Sequence, residues 1–205
     1  MENYAELMFH EAVAALQKEE GSFERYKAFY PHRRQDAFSA DDIAFISSRE
    51  SIYIASLTPD GWPYVQHRGG PRGFLKVVEG HKIVCADYPG NRQFISMGNL
   101  AQNDRVSVFC MDYERSARLK LQGHARLRKR ADVEPEVLAL LGDEGTPIER
   151  VLEIDVVAMD RNCPKYITKM YSEAVLKEAL IPKIAALEAE NQQLRAALAE
   201  AGITP

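Results

Sequence analysis

The chain has 205 residues, of which 46% are hydrophobic and 27% charged, a composition typical of a soluble globular protein with one main core. Its formal net charge of −4 argues against a protein that coats nucleic acid. The three widely spaced cysteines form no disulfide framework, the N-terminus lacks a signal-peptide pattern and no apolar run is long enough to span a membrane, so we expect a cytoplasmic protein.

Residues 1–42 are predicted to form an N-terminal helical segment. Apolar residues recur at helical spacing across 4–20, and Gly21 should end that helix. The run 23–38 permits either a loop or a short helix. Ser39 is predicted to cap a further helix with Asp42 at its third position.

Residues 43–170 are predicted to form a β domain. Strand-forming runs between 51 and 159 are separated by turn signals, and two of these turns, at 59–61 and 79–81, predict hairpins. A short helix is expected over 91–100, with Asn91 near its cap. Most connections are too short for parallel crossovers. The fold class is therefore mainly β with flanking helices, arranged as a six-stranded antiparallel barrel.

Residues 171–205 are predicted to form a coiled-coil helix. A heptad repeat places Ile184, Asn191 and Leu198 at a, and Leu180, Leu187 and Leu194 at d. A single Asn at a favours a parallel two-stranded coiled coil, and Glu190 at g is spaced to pair with Arg195 at e of another chain. About three heptads should reinforce a barrel dimer rather than create one. A helix that packs on its own barrel is the alternative.

The stretch 61–100 carries basic and amide side chains at turns. Lys76, Asn91, Arg92 and Ser96 are placed where backbone N–H groups, charged donors and a helix N-terminus can converge on a phosphate. Solvated surface charges are the alternative interpretation. Trp62, beside a turn, is expected to pack on the barrel rather than to serve as a stacking platform.

The order of these motifs resembles the pyridoxamine 5′-phosphate oxidase-like FMN-binding split barrels, including a bacterial subgroup described only as FMN-binding. Phe74-Leu75-Lys76 matches a hydrophobic pair and Lys at a strand end, and Ala86-Asp87 matches the end of the next strand. Asn91-Arg92-Gln93 matches a Ser-Arg-Lys at a helix start, and residues 103–108 are close to Asn-Pro-Arg-Val-Ser-Leu. The resemblance implies a six-stranded antiparallel split β-barrel. It further implies a homodimer with two FMN sites at the subunit interface.

The resemblance also implies the residues that bind FMN. Lys76, Asn91 and Arg92 would hold the phosphate, and Arg118 stands where the family has a Gln that reaches the flavin. The predicted cofactor-binding set is Gln66, His67, Arg68, Phe74, Leu75, Lys76, Ala86, Asp87, Tyr88, Asn91, Arg92, Gln93, Ser96 and Arg118. Gln93 replaces a basic phosphate ligand of the family, which leaves Arg68 or Arg72 to compensate. No metal site is predicted, because the histidines lack ligand spacing.

The expected function is an FMN-dependent oxidoreductase that acts on an unknown small substrate, with flavin N5 accepting or donating the hydride. The family's C-terminal Arg-x-His segment has no counterpart, so oxidation of pyridoxamine phosphate itself is not expected. Cys163 is a candidate to approach the flavin from the other subunit, or an inert thiol. The alternative function is a non-catalytic protein that binds or senses a flavin, haem or a deazaflavin.

Overall fold

The computed structural model describes residues 1–142, 145–161 and 165–202. The chain divides into two compact units. The first contains Met1–Asp112 and Ala117–Lys165, and the second contains Tyr113–Ser116 and the described residues from Tyr166 onwards. The hypothesis for Cys163 lies outside the described residues.

Short helices precede the sheet in the first unit. They are α1 (Tyr4–Met8), α2 (Glu11–Glu19) and α3 (Phe23–Phe29), and a 3₁₀ turn follows at Tyr30–Arg33. The single helix predicted over 4–20 is therefore two helices, because the chain leaves helical geometry at Phe9 and His10. The run 23–38 resolves as a short helix and a 3₁₀ turn.

Helix α4 (Ala40–Ser47) begins where the sequence predicted. Ser39 Oγ accepts a hydrogen bond from the Asp42 N–H at 3.2 Å, and the Asp42 carboxylate accepts one from the Ser39 N–H at 2.9 Å. This reciprocal capping box satisfies two backbone donors that a helix start leaves free. The predicted cap is confirmed.

Seven strands form one antiparallel sheet in the order β2-β1-β5-β6-β7-β4-β3. They are β1 (Ser51–Leu57), β2 (Pro63–Gly69), β3 (Lys76–Val78), β4 (Lys82–Asp87), β5 (Arg105–Asp112), β6 (Ala117–Lys129) and β7 (Arg150–Arg161). The predicted count of six is wrong, because the two predicted hairpins supply four strands and β5, β6 and β7 bring the total to seven. Both predicted hairpins, β1–β2 and β3–β4, are confirmed.

The sheet curls around its main core. Ile52 and Ile54 of β1 pack in the same buried cluster as Ile83 and Cys85 of β4, although three strands separate β1 from β4 in the sheet. A register shift at Gln122/Gly123 of β6 is a bulge of the kind that bends a strand. The curl brings the edge strand β2 close to β4, and the opening between these two strands positions the candidate site.

The remaining helices flank the sheet or follow it. Helix α5 (Ile95–Gln102) begins four residues later than the predicted start at Asn91, and α6 (Pro135–Leu141) covers a second, smaller core that includes Val84 and Val151. Helix α7 (Glu173–Glu200) belongs to the second unit and is capped by Ser172. None of the described helices is long and apolar enough to cross a lipid bilayer.

Candidate functional site

A cavity of about 230 Å³ opens where β2 approaches the end of β4. Its walls also include the loop before α5, the first turn of α5 and the start of β7. Eleven of the fourteen predicted cofactor-binding residues border it: Gln66, His67, Arg68, Phe74, Ala86, Asp87, Tyr88, Asn91, Arg92, Gln93 and Ser96. The sequence therefore located about half of the residues that line the cavity.

Strand alternation decides which β2 side chains face the cavity. Tyr64, Gln66 and Arg68 are half-buried on the inner face, whereas the intervening residues are exposed. His67 lies on the outer face, where its ring centroid is 5.7 Å from that of Tyr53. Its side chain is thus turned away from Arg68 and Gln66.

An ion pair joins the two strands across the opening. The guanidinium of Arg68 on β2 donates to the carboxylate of Asp87 on β4, and the two side chains are only 13% and 15% exposed. Arg150 of β7 approaches the other oxygen of Asp87 at 3.7 Å and also contacts Glu149 at 2.8 Å. Two arginines and two carboxylates therefore alternate along the wall of the cavity.

Arg68 retains one unused donor. Its Nε–H is buried and has no hydrogen-bond partner among the residues that the structure describes. Burying such a donor without an acceptor costs about 1–3 kcal/mol, so the site gains free energy from any ligand that supplies an acceptor there.

The segment before α5 is held in an unusual conformation beside the cavity. Arg92 and Phe94 have positive φ values of 60° and 54°, which non-glycine residues rarely adopt. The side chain of Asn91 accepts a hydrogen bond from the Gln93 N–H at 3.1 Å, which turns the chain away from helical geometry and explains the late start of α5. Strained backbone of this kind is typical of binding sites.

The first turn of α5 presents donors to the cavity. Phe94, the cap residue, makes no side-chain capping bond, and Ile95, Ser96 and Met97 all border the cavity. The free N–H groups of a first helical turn attract anions. The Ser96 hydroxyl donates to the side-chain oxygen of Gln66, which ties α5 to β2.

The charged side chains favour an anionic ligand. Arg68, Arg92 and Arg150 line the cavity against the carboxylates of Asp87 and Glu149, so three positive and two negative charges leave a net charge of +1. Arg92 is exposed and its side chain has no hydrogen-bond or ion-pair partner within the described part of the chain. It is therefore the lining arginine that is free to meet an incoming phosphate.

Three predicted residues lie away from the cavity. Leu75 is fully buried in the main core, and Lys76 begins the edge strand β3, with its Nζ near Gly73. Arg118 of β6 pairs with Met111 of β5, and its guanidinium lies 6.0 Å from the ring centroid of Phe109. Alternation on β6 puts Leu119 in the core and Arg118 on the outer face of the sheet.

Sequence reasoning missed Arg150, Glu149 and Phe94. The Arg150 guanidinium lies 5.6 Å from the Phe94 ring centroid and within reach of Asp87, so it is central to the site. Its position depends on the β4–β7 pairing of Asp87 with Arg150, which joins segments more than 60 residues apart. A turn signal could reveal a hairpin, but nothing local could reveal this contact.

Cys85 borders the cavity without being a reactive thiol. Burial raises its pKa to about 12, and the charge of Asp87 adds to the shift while the Arg68 guanidinium opposes it. A thiol in such surroundings stays protonated and is a poor nucleophile at neutral pH. Across the described residues, no group of three His, Cys, Asp or Glu side chains could hold a metal ion.

An apolar face lies on the outer side of β1 and β2. Val65 is 60% exposed and Trp62 73% exposed, and Tyr53 and Leu57 lie on the adjoining β1. The expectation that Trp62 packs on the barrel is wrong, because its side chain, in the turn between β1 and β2, is largely exposed to solvent. Contiguous exposed apolar side chains of this kind mark interaction surfaces.

The fold and the site define a curled antiparallel sheet that carries an arginine-lined ligand cavity at its open side. The chain belongs to the pyridoxamine 5′-phosphate oxidase family, whose sequence model matches residues 43–161, more than half of its length. The residues that carried the resemblance fall inside this range, so the predicted family is confirmed. No curated protein matches the sequence.

Solved structures of similar fold have low sequence identity to this chain. A candidate pyridoxamine 5′-phosphate oxidase from Lactobacillus delbrueckii is 16% identical, with a TM-score of 0.48, and the match covers 62% of this chain and 96% of the other. HupZ from Group A Streptococcus is 13% identical, with a TM-score of 0.48 and coverage of 65% and 99%. An FAD-binding protein from Mesorhizobium loti is 16% identical, with a TM-score of 0.42 and coverage of 61% and 94%. These similarities are too low to assign a ligand.

Proposed function

We propose that this protein is a flavoprotein that binds FMN in the cavity between β2 and β4 and acts as an oxidoreductase on a small substrate. The observation that carries the proposal is the buried, unpartnered Nε–H of Arg68, held at the cavity wall by Asp87. Family membership and the donor-rich segment before α5 support it. Bound FMN would supply hydride transfer at its N5 atom.

The residues fit a ligand with a phosphate at one end and a polar ring at the other. Arg92, Asn91 and the first turn of α5 offer charged and neutral donors for the phosphate. Arg68 and Gln66 lie on the neighbouring strand and offer a donor and an amide to the polar edges of the ring system. Asp87 holds the Arg68 guanidinium in position, and Arg150 lies on the other side of Asp87.

Phe74, Tyr88 and Phe94 supply the apolar part of the wall. Aromatic side chains can cover the faces of a planar ring and exclude water from it. Phe94 is 50% exposed in the single chain, so its ring is available for such a contact. The arrangement therefore combines polar ends with apolar walls, as small-molecule sites generally do.

We further propose that a second copy of the chain completes the site. The cavity of about 230 Å³ is smaller than the roughly 300–1,000 Å³ of most ligand pockets, so one chain would enclose FMN only in part. The exposed apolar face around Tyr53, Trp62 and Val65 offers a surface on which a homodimer could form. Arg118, on the outer side of the sheet, would then be available to the partner's cavity rather than to its own.

The test begins with the absorbance spectrum of the purified protein and titration with FMN. We expect FMN to be bound, and the loaded protein to be reduced by NAD(P)H and reoxidised by an added acceptor. Failure to bind FMN would refute the site. Binding without any turnover would refute the oxidoreductase and favour the alternative of a flavin-holding protein.

Arg92→Ala provides the residue-level test. Loss of a charge-assisted phosphate contact costs about 1.5–3 kcal/mol, so we expect FMN affinity to fall about 10–100-fold while the oligomeric state is unchanged. Arg105→Ala is the matched control, because Arg105 begins β5 and does not line the cavity. Equal affinities in the Arg92 variant and the control would show that Arg92 does not hold the phosphate.

A further inference from the structure

Helix α7 presents a long apolar stripe with no buried residue. Leu180, Ile184, Leu187 and Leu194 are 48%, 50%, 64% and 58% exposed. They occupy successive a and d positions of the heptad repeat, so they fall on one side of the helix. This stripe lies outside residues 43–161, which match the family.

We propose that α7 pairs with α7 of a second copy of this chain as a parallel, in-register, two-stranded coiled coil. Asn191 interrupts the stripe at an a position between Leu187 and Leu194. In a parallel pair with matched register, this residue meets the partner's Asn191, and the two amides hydrogen-bond to each other. In an antiparallel or shifted pair, Asn191 would face an aliphatic side chain and lose its partner, at a cost of about 1–3 kcal/mol for the unpaired amide.

The charges beside the stripe favour the same arrangement. Parallel pairing sets each g residue against the e residue of the partner in the following heptad. Lys183 at g then faces the partner's Glu188, and Glu190 at g faces the partner's Arg195. Both g–e contacts join opposite charges, so the helix is complementary to a copy of itself.

The helix tolerates this pairing despite an internal proline. Pro182 falls at f, the position on the far side from the stripe, so its ring does not enter the proposed interface. Lys177 and Glu173 would be the preceding a and d residues, and they form an ion pair at 2.6 Å within the helix, so the apolar stripe begins at Leu180. An open groove lined by Ile184, Leu187, Glu188, Asn191 and Arg195 remains for the partner helix.

The test is oxidative crosslinking of the full chain, with Cys163→Ser as background because Cys85 and Cys110 are buried. Leu194→Cys puts a thiol at d, where identical residues of a parallel pair meet. Ala196→Cys puts one at f, on the outside, and is the matched control. We expect most Leu194→Cys chains to form a disulfide-linked dimer, whereas the control stays monomeric on denaturing gels. Leu187→Cys, a second d position, repeats the test if the first variant is poorly folded.

Charge reversal tests the register. With Leu194→Cys present, Arg195→Glu should cut the crosslinked fraction severalfold, because it sets Glu190 against a second carboxylate. Adding Glu190→Arg should restore the fraction. Equal crosslinking at d and f, or no crosslinking at either d position, would overturn the proposal, as would a charge reversal that changes nothing.

Discussion

The contact between Arg68 and Asp87 provides the sharpest test of how the site is built. Replacing Arg68 with Met removes the guanidinium while keeping much of its aliphatic volume. The change leaves the Asp87 carboxylate, which is only 15% exposed beside Arg68, without its nearest cation. Arg150 remains 3.7 Å from Asp87 and compensates in part.

The expected loss of stability lies between two limits. Removing one partner of a buried ion pair costs about 3–5 kcal/mol, whereas an exposed pair is worth about 0–1 kcal/mol. The contact is mostly buried, which favours the larger loss. Two effects reduce it: Arg150 still lies near Asp87, and the variant no longer buries the unpaired Nε–H of Arg68. We therefore expect Arg68→Met to lower the free energy of unfolding of the ligand-free protein by about 2 kcal/mol.

A double-mutant cycle with Asp87→Asn separates the contact from its surroundings. If the pair joins the strands, the double variant should be less destabilised than the sum of the single variants by about 1 kcal/mol or more. Urea unfolding followed by far-UV circular dichroism measures all four proteins. Additivity within about 0.5 kcal/mol would refute the reasoning, because residues that do not interact add in this way.

The same variants distinguish the role of the ion pair in joining β2 to β4 from the role of Arg68 in binding FMN. Arg68→Met should weaken FMN about 10–100-fold, since it removes the buried donor. Asp87→Asn should weaken FMN much less, because Arg68 stays and the repulsion between Asp87 and an anionic ligand is removed. Equal losses in both variants would indicate that only the shape of the cavity matters.

Three further predictions follow from features elsewhere in the chain. Gly123→Ala should destabilise the protein by about 1–3 kcal/mol, because an added Cβ would lie 2.6 Å from the Asp155 carbonyl oxygen. Gly98→Ala should stabilise it by about 0.5–1 kcal/mol, because Gly98 lies in α5 with open space around it. Urea unfolding measures both, and a change in stability of the same sign for the two variants would contradict the prediction. Burial raises the pKa of both Cys85 and Cys110 from 9.0 to about 12, so the thiols of the unfolded chain lose their protons at lower pH than those of the folded chain. The free energy of unfolding should therefore fall as pH rises from 9 towards 12. Native thiols that react with a disulfide reagent as fast as denatured ones would contradict this. Asn191→Ile should strengthen the α7 pairing but broaden its oligomeric state, which light scattering would detect as species larger than the wild type.

Local signals predicted the local structure well. The Ser39 cap followed from a four-residue pattern, and both hairpins followed from turn residues flanked by strand-forming runs. Each depends on groups that are close together in the chain, where sequence spacing determines geometry. The same holds for the stretch 61–100, which contains most of the cavity wall.

The sequence failed to predict features that depend on contacts between distant residues, or on a local hydrogen bond that competes with the expected one. Asn91 looked like a helix cap, but its side chain bonds to the Gln93 N–H and the chain passes through two left-handed residues before α5 begins. Arg150 could be recognised only from the β4–β7 pairing. Lys76 and Arg118 do not border the cavity of the single chain, and their placement depends on the pairing of β3 with β4 and of β5 with β6.

The side-chain bridge across the opening has a consequence for motion. Strand β2 is held to β1 by backbone pairing along its whole length, but its other edge meets β4 through the side chains of Arg68 and Asp87. A single ion pair can break without disturbing the backbone pairing of β2 with β1, so we expect the gap to open at a lower free-energy cost than unfolding of the sheet. For the proposed ligand, we therefore expect the rates of binding and release to depend on how often the ion pair between Arg68 and Asp87 breaks.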